Sequence, residues 1–293
     1  MRRFVVALFL TSLCASFALA QGQSAPTLRV VTEDPSLPSE LFYGDVRVKP
    51  VRLRPGTNTR ITIDDSDFFV QQQYIDFLSR FPEADGFAAW MRVLDTCQND
   101  PNCLHGVNGK RVLVSQSFFQ SVEFQYKGGG VYRYYKASFN RLPTYAEMIE
   151  GMRSVTGQTE AEVNAKRNAF ALNWVARGDF TAAYPASLSP SEFVNKVLQT
   201  AGVTVANKDQ LIAGLTNGTE SRASVLRKIV DSSELYAKEY DPAFVAMQYY
   251  GYLRRAPEQE GYDNWLNYLR NHPGDYKTMV WGFVYSGEYR NRH

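Results

Sequence analysis

The side chains best suited to chemistry in this sequence are its histidines, its cysteines and a set of repeated acids. The three histidines, His105, His272 and His293, are far apart in the sequence, and none takes part in an HxxxH or HExxH pair. A catalytic or structural zinc ion needs three or four ligands, usually at short and regular spacings. The sequence therefore indicates no metal site, and it contains no motif typical of a cofactor-binding protein.

Two cysteines close a short, turn-rich loop, CQNDPNC, from Cys97 to Cys103. They are the cysteines that remain if a predicted N-terminal signal peptide is removed. In an oxidising compartment two such cysteines form a disulfide, and two thiols alone are weak evidence for zinc. We predict a Cys97–Cys103 disulfide, which leaves no thiol for a nucleophilic Cys–His pair.

Acidic residues recur at nearly constant intervals, at Glu123, Asp179, Glu234 and Glu288, mostly within a Ser-x-Glu sequence. A single Glu can act as acid and base in a peptidoglycan-cleaving enzyme, and Glu123 or Glu288 would then be catalytic. A catalytic acid is more often present once, whereas an acid repeated in every unit is typical of a repeated structural contact. A non-catalytic protein is the preferred interpretation, with the enzyme kept as an alternative hypothesis.

Two short motifs have weaker functional interpretations. Gly128-Gly129-Gly130 lacks the Lys-Ser/Thr and the preceding strand of a phosphate-binding loop, so we interpret it as a hinge between units. Asn217-Gly218-Thr219 is an N-glycosylation sequon, which matters only in a host that has a glycosylation system.

The elements that must position these residues form an internal repeat. The stretch from Phe69 to Trp90 returns without a gap as the stretch from Phe244 to Trp265. Apolar residues within it recur at helical spacing, and an Arg-x-Pro sequence should end that helix because proline lacks an N–H. A middle copy of Arg-x-Pro stands at 141–143.

The repeated sequences divide the chain into four degenerate units, and the third has neither Arg-x-Pro nor Trp. We predict an all-α fold of helices of about 10 to 15 residues. The helical repeat domain covers residues 66–293, as an array or as a single helical domain. Its units are about 66–127, 129–186, 189–238 and 241–291.

Each Arg-x-Pro arginine is predicted to bond the acid of its own unit. The predicted pairs are Arg80–Glu123, Arg141–Asp179 and Arg255–Glu288. We interpret the acid as the end of the third helix of a three-helix unit, parallel to the first helix, so that both groups reach the same end. The planar guanidinium suits a bidentate carboxylate contact. The third unit lacks the arginine, so Glu234 should be exposed or paired elsewhere.

The N-terminus is predicted to be a signal peptide over residues 1–20. Arg2 and Arg3 precede the apolar run, and Ala18-Leu19-Ala20 is a typical cleavage site. The run is too short and too polar for a membrane anchor, and no other stretch could span a bilayer. We therefore expect a secreted protein, in the periplasm, on the cell surface or outside the cell. Residues 21–65 are predicted to be a Pro-rich extended arm or linker.

Charge excludes one class of partner. Without Arg2 and Arg3 the chain has equal numbers of basic and acidic residues, and it has no basic run. Affinity for nucleic acids comes mainly from neutralising phosphates. We therefore expect no nucleic-acid partner.

The FVxxxYxxFLxRxP pattern, the Gly and Trp that follow it and the SxEF sequence resemble the domain-of-unknown-function family numbered 4214. The resemblance covers about residues 64 to 292 and is clearest in the first and last units. That family occurs in secreted and surface-associated bacterial proteins and is similar to the helical phycobilisome linker domain. The resemblance implies a bacterial protein with an all-helical fold, and it implies no activity or catalytic residue.

These observations lead us to expect a secreted helical module that binds an envelope or extracellular protein. Exposed aromatic residues would be its anchors. The candidate binding aromatics are Tyr132, Tyr134, Tyr250 and Tyr252. A carbohydrate-binding module with a glycan partner is a second hypothesis, and it would need several coplanar rings exposed on one face.

Overall fold

The structure is a computed structural model that describes residues 52–157 and 159–293 in full. Before residue 52 it describes only the backbone of three strands, at 28–31, 40–43 and 46–47. The signal peptide predicted at 1–20 lies outside the described residues, as do residues 21–27, 32–39, 44–45 and 48–51 of the predicted arm.

Short antiparallel strands precede the helices. A three-stranded sheet has β2 between β1 and β3, with Leu28 opposite Tyr43 and Phe42 opposite Arg47. A separate strand pair, β4 and β5, leads into the helical domain. The strands are β1 (Leu28–Val31), β2 (Glu40–Tyr43), β3 (Val46–Arg47), β4 (Arg52–Leu53) and β5 (Arg60–Ile61).

The rest of the described chain is helical, which confirms the predicted all-α fold. The first two units contain α1 (Ser66–Leu78), α2 (Ala84–Asp95), α3 (Pro101–Leu104), α4 (Lys110–Gln120), α5 (Val122–Tyr126), α6 (Gly128–Phe139), α7 (Tyr145–Val155), α8 (Glu160–Ala176) and α9 (Gly178–Ala183). The last two contain α10 (Pro190–Ala201), α11 (Lys208–Asn217), α12 (Arg222–Val230), α13 (Ser233–Gln248), a π-helical turn (Tyr249–Leu253), α14 (Gln259–Asn271), α15 (Tyr276–Val284) and α16 (Gly287–Asn291). Within the described residues no helix is long and apolar enough to cross a membrane.

The helices before the three Arg-x-Pro sequences end in the same way. The residue before each arginine adopts the left-handed conformation, with φ values of 53° at Ser79, 47° at Asn140 and 53° at Arg254. A left-handed residue is a common way to end an α-helix, although glycine is the usual choice. The chain therefore leaves the helix one residue before the arginine, and proline prevents the helix from resuming at once.

The repeated acid lies at the start of a helix, not at the end of one as predicted. Ser121 separates α4 from α5, and its hydroxyl accepts a hydrogen bond from the Phe124 amide at 3.1 Å. Ser286 does the same for the Tyr289 amide at 3.1 Å. Serine is a preferred N-cap, and an acid in the first turn suits the positive end of the helix dipole. The apolar residue after each acid is buried: Phe124, Phe180, Leu235 and Tyr289.

The predicted boundary between the third and fourth units does not coincide with a helix end. Helix α13 begins after the N-cap Ser232 and runs through residues 239–240, with Pro242 inside it. It continues into the π-helical turn at Tyr249–Leu253. Packing of its buried residues against α6 and α14 outweighs the local disruption that a proline causes.

The buried residues form one continuous core that joins the first and last units. Helix α15 packs against α4, and α1 packs against the π-helical turn. The ring of Phe77 in α1 lies 5.2 Å from the ring of Tyr252 in that turn, measured between centroids. The helices thus form a closed assembly rather than an open row of units.

Candidate functional site

The first unit contains a polar cluster where α1 ends. Arg80 donates from Nε to Glu123 Oε1 at 2.7 Å and from Nη2 to Glu123 Oε2 at 2.8 Å. Its remaining terminal nitrogen bonds Glu83, the N-cap residue of α2. The guanidinium also lies over the ring of Tyr74, 4.9 Å from its centroid. One arginine thereby joins the end of α1 to the starts of α2 and α5.

The fourth unit repeats this cluster with equivalent residues. Arg255 donates to the two carboxylate oxygens of Glu288 at 2.8 and 3.1 Å. It also bonds Glu258, the N-cap residue of α14. Its guanidinium lies 5.3 Å from the centroid of the Tyr249 ring. The structure therefore contains the predicted bidentate pair in both of these units.

The repeated glycine makes room for this cluster. A Cβ atom at Gly86 would overlap the Tyr74 hydroxyl and the Glu83 carboxylate. A Cβ at Gly261 would overlap the matching groups of Tyr249 and Glu258. Glycine is needed here for close approach and not for backbone freedom, since neither residue has a positive φ.

The predicted Arg141–Asp179 pair is wrong. Arg141 donates instead to both oxygens of Glu147, at 2.8 and 2.7 Å. Asp179 accepts from Arg177 at 2.9 and 2.6 Å. Glu147 belongs to a capping box with Thr144 that brings it within reach, and Arg177 stands where the other units have serine. Each of the two arginines therefore binds a carboxylate near to it in the sequence, six residues away for Arg141 and two residues away for Arg177.

Both arginines of the second unit nevertheless share the ring of Tyr135, the counterpart of Tyr74. Their guanidinium carbons lie 4.8 Å (Arg141) and 5.5 Å (Arg177) from its centroid. In the third unit, Glu234 accepts weakly from the Ala206 amide, at 3.4 Å. That agrees with the expectation that it pairs elsewhere.

The surroundings of Glu123 keep it ionised. Burial opposes ionisation, but hydrogen bonds from Arg80 and Lys127 outweigh it and hold the pKa of Glu123 below its usual value. Lys127 is completely buried, so this carboxylate is its charge partner inside the protein. In the fourth unit Arg255 and Glu288 are far more exposed, at 40% and 47%.

This arrangement is suited to holding helices together rather than to proton transfer. A general acid needs a raised pKa and a proton to give. Glu123 has a lowered pKa, and both of its oxygens accept hydrogen bonds from cations. Both oxygens of Glu288 are occupied in the same way. We interpret both clusters as contacts that hold helices together. We call Arg80 with Glu83 and Glu123 the first clamp, and Arg255 with Glu258 and Glu288 the second clamp.

The histidines and cysteines make structural contacts. Cys97 and Cys103 are joined by a disulfide. Cys103 lies in the short helix α3, which leads to His105, and the His105 Nδ1 lies 2.8 Å from the Tyr285 hydroxyl of the last unit. His293 is buried, and burial lowers its pKa to about 3. Among the described residues no three His, Cys, Asp or Glu side chains are grouped as metal ligands.

The candidate binding tyrosines are buried and cannot serve as surface anchors. Their exposed fractions are 0% for Tyr132, 3% for Tyr134, 2% for Tyr250 and 0% for Tyr252. The Tyr250 hydroxyl donates to the Pro143 carbonyl at 2.6 Å, and the Tyr132 hydroxyl donates to Glu239 at 3.2 Å. Such hydrogen bonds inside the core offset the burial of a tyrosine hydroxyl. The Tyr134 hydroxyl is buried without a hydrogen-bond partner among the described residues. For the same reason, these four rings cannot bind a glycan at the surface, as the carbohydrate-binding hypothesis would require.

Among the described residues, the two most exposed large apolar side chains lie beside the first clamp. Phe81 is 72% exposed and Val122 is 69% exposed. Phe81 follows Arg80, and Val122 precedes Glu123, so the two residues flank that ion pair. The repeat did not point to Phe81 and Val122, because they occupy the variable positions of Arg-x-Pro and Ser-x-Glu. The available signal was that the first unit alone has a large apolar residue at both positions.

An open cleft lies between α10 and α11. Its lining includes Asn195, Gln199, Thr204 and Lys208. Lys208 is its one charged side chain, and it contains no acid, histidine or cysteine. Its lining therefore offers no carboxylate, imidazole or thiol that could act together with Lys208 or Thr204.

Comparison with known proteins agrees with the resemblance read from the sequence. Residues 235–293 match the family described as Domain of unknown function (DUF4214). The matched segment contains the second clamp, from Arg255 to Glu288. No curated protein and no solved structure matches the chain.

Proposed function

We propose that this protein is a secreted, non-catalytic helical module that binds a protein partner at the cell envelope or outside the cell. We further propose that Phe81 and Val122 form its contact surface. The observation that carries the proposal is that these two apolar side chains, 72% and 69% exposed, flank a bidentate, partly buried ion pair.

The clamp gives such a surface the rigidity that binding requires. Arg80 bonds the carbonyl of Phe81 at 3.1 Å as well as Glu123, so the backbone on both sides of the exposed pair is held. Binding costs less free energy when the contact residues are already ordered. Interfaces are anchored by a few buried aromatic and apolar side chains with polar groups around them. Tyr126, 47% exposed and one helical turn after Val122, extends the same face of α5.

The corresponding positions of the other units argue that this surface is specific to the first unit. In the second unit Leu142 is half-buried and Gly178 has no side chain. In the fourth unit the residues are Ala256 and Gly287. If both clamps support the fold and only the first also binds a partner, exposed apolar residues are expected beside the first clamp alone.

Site-specific photo-crosslinking in the producing cell tests this proposal. A photoreactive amino acid at position 81 or 122 should capture the same discrete protein. The same amino acid at Leu172, an unrelated residue that is 58% exposed, is the matched control and should not capture it. Identical products from all three positions, or none from 81 and 122, would overturn the proposed surface.

Two further measurements test the alternatives. Cell fractionation and N-terminal sequencing should find the protein outside the cytoplasm and beginning at Gln21. The purified mature protein should leave peptidoglycan intact and bind nothing on a glycan array. Turnover that disappears in Glu123→Gln would establish the enzyme alternative, and saturable glycan binding would establish the carbohydrate-binding one.

A further inference from the structure

The described chain contains two Asn-Gly sequences, Asn108-Gly109 and Asn217-Gly218, and their surroundings differ. In an Asn-Gly sequence the glycine amide nitrogen can attack the asparagine Cγ. A new N–Cγ bond forms, the Cγ–Nδ2 bond breaks, and the side-chain nitrogen leaves as ammonia with the backbone amide proton. Water then opens the succinimide ring to aspartate or isoaspartate, without any change in oxidation state.

The backbone at Asn217-Gly218 leaves the attacking nitrogen accessible. Asn217 is the last residue of α11, and both residues are exposed. Gly218 has a φ of 76°, and no atom lies within 4 Å of where its Cβ would be. Its amide N–H has no hydrogen-bond acceptor among the described residues. Helix ends fray readily, so this peptide bond can reach the reactive geometry at little cost.

The side chain of Asn217 is also prepared for the attack. Its Oδ1 accepts hydrogen bonds from the Thr219 amide at 3.0 Å and from the Thr219 hydroxyl at 2.7 Å. A bond to the amide two residues later folds an asparagine side chain over the peptide bond that follows it. Two donors on Oδ1 also withdraw electron density from Cγ and stabilise the negative charge that develops on this oxygen.

Asn108-Gly109 has the same sequence but a protected nitrogen. Gly109 is the N-cap residue of α4 and is buried. Its amide donates to the Gly106 carbonyl at 3.0 Å. A Cβ at this position would collide with the backbone of His105 and Leu104, which shows how closely the chain is packed here. Attack from this nitrogen requires the turn to open first.

We propose that Asn217 is a site of spontaneous deamidation in the folded protein and that Asn108 is protected by the fold. Conversion places a carboxylate at the C-terminal end of α11, where the helix dipole disfavours negative charge. The isoaspartate product also inserts a backbone methylene into the turn between α11 and α12. Glu220, whose amide bonds the Gly214 carbonyl at 3.0 Å, holds that turn in the unmodified protein. The turn should therefore loosen as the protein ages.

The test is to incubate the folded mature protein in mildly alkaline buffer and to map its peptides by mass spectrometry over time. Asn217 should convert at least about tenfold faster than Asn108, which corresponds to about 1.4 kcal/mol of local opening at Asn108. Fragmentation that distinguishes the two products should show both aspartate and isoaspartate at position 217. Equal rates, a faster Asn108 or no reaction at either residue would overturn the proposal.

The same measurement in concentrated urea shows whether structure is the cause. Unfolding removes the Gly109–Gly106 hydrogen bond, so the two sites should then react at similar rates. If the rates at Asn217 and Asn108 still differ in urea, the neighbouring residues in the sequence are the cause. That result would also overturn the proposal. The Asn217→Gln variant, which forms the larger cyclic imide less readily, should lose the product at position 217 without changing Asn108.

Discussion

Glu123 and Glu288 have the same role in two units, but the ion pair of Glu123 is less exposed to solvent than that of Glu288. Arg80 and Glu123 are 18% and 29% exposed, and Glu123 is also the partner of the fully buried Lys127. Arg255 and Glu288 are 40% and 47% exposed. Solvent screens an exposed ion pair, whereas removing one member of a buried pair leaves an uncompensated charge.

We therefore expect unequal costs from one substitution made at the two positions. Glu123→Gln should lower the free energy of unfolding by about 3–5 kcal/mol, because it leaves the buried ammonium group of Lys127 without a charge partner. Glu288→Gln is the matched control and should cost less than about 1 kcal/mol. Urea denaturation monitored by circular dichroism measures both values. Similar costs at the two positions would show that burial does not distinguish the clamps.

The lowered pKa of Glu123 also predicts a pH dependence. A carboxylate whose pKa falls on folding stabilises the protein fully above its unfolded pKa, about 4.3 for Glu, and less as the pH drops through its folded pKa. The difference in unfolding free energy between wild type and Glu123→Gln should be constant near neutrality and shrink only in acid. Urea denaturation at a series of pH values tests this. A difference that already shrinks near neutral pH would mean that the pKa of Glu123 is raised.

At the scale of elements, the approach of α6 and α7 depends on one glycine. Gly151 stands where the first and fourth units have Trp90 and Trp265. A Cβ at this position would lie 2.5 Å from Cγ1 of Val131. A β-branched valine in a helix has essentially one rotamer, so it cannot turn away. The second unit has therefore exchanged a tryptophan contact for direct contact between helices.

Gly151→Ala should consequently destabilise the protein by about 1–3 kcal/mol through overpacking. Gly178→Ala is the control, since a Cβ there meets nothing within 4 Å. That substitution should be neutral or stabilise the protein by up to about 1 kcal/mol, because alanine loses less entropy on folding. Thermal unfolding of the two variants gives the comparison. A stable Gly151→Ala variant would show that the helices can separate without cost.

At the scale of the whole molecule, the first and last units share a core. Phe77 is completely buried between Phe124 of its own unit and Tyr252 of the fourth. A Cβ at Gly251 would lie 3.0 Å from the Phe77 ring, so the fourth unit supplies a glycine to receive it. In an open repeat array each unit contacts only its neighbours. Contact between the ends should make the four units unfold together.

Phe77→Ala tests this cooperativity. The variant should lose about 3–5 kcal/mol of unfolding free energy, as expected for a deleted core aromatic ring. Amide hydrogen exchange should accelerate in both α4 and α15, which belong to the first and last units. Leu172→Ala, at an exposed position, should change stability by less than about 0.5 kcal/mol. Faster exchange confined to the first unit would instead indicate an open array.

Much of the helical fold could be predicted from the sequence because its signals are local. Helical spacing and capping residues act within a few positions of one another, so Thr144 with Glu147 and Ser189 with Glu192 mark helix starts that the structure contains. The internal repeat located the Arg80–Glu123 and Arg255–Glu288 pairs, because an Arg-x-Pro precedes a Ser-x-Glu in both units, although the partners are 43 and 33 residues apart. The disulfide could be predicted because Cys97 and Cys103 are the two cysteines left after the predicted signal peptide and a short, turn-rich loop separates them.

The tertiary structure decided which residues are available at the surface and which carboxylate each arginine binds. Tyrosine suits a core or an interface equally well, so only packing could show that Tyr132 and Tyr252 are buried and Phe81 is exposed. Arg141 binds Glu147 rather than Asp179 because a capping box holds Glu147 nearby. The spacing of the repeat does not reveal which of the two acids lies closer. Contact between the first and last units depends on side chains from distant parts of the chain, such as Phe77 and Tyr252, whose meeting no local pattern encodes.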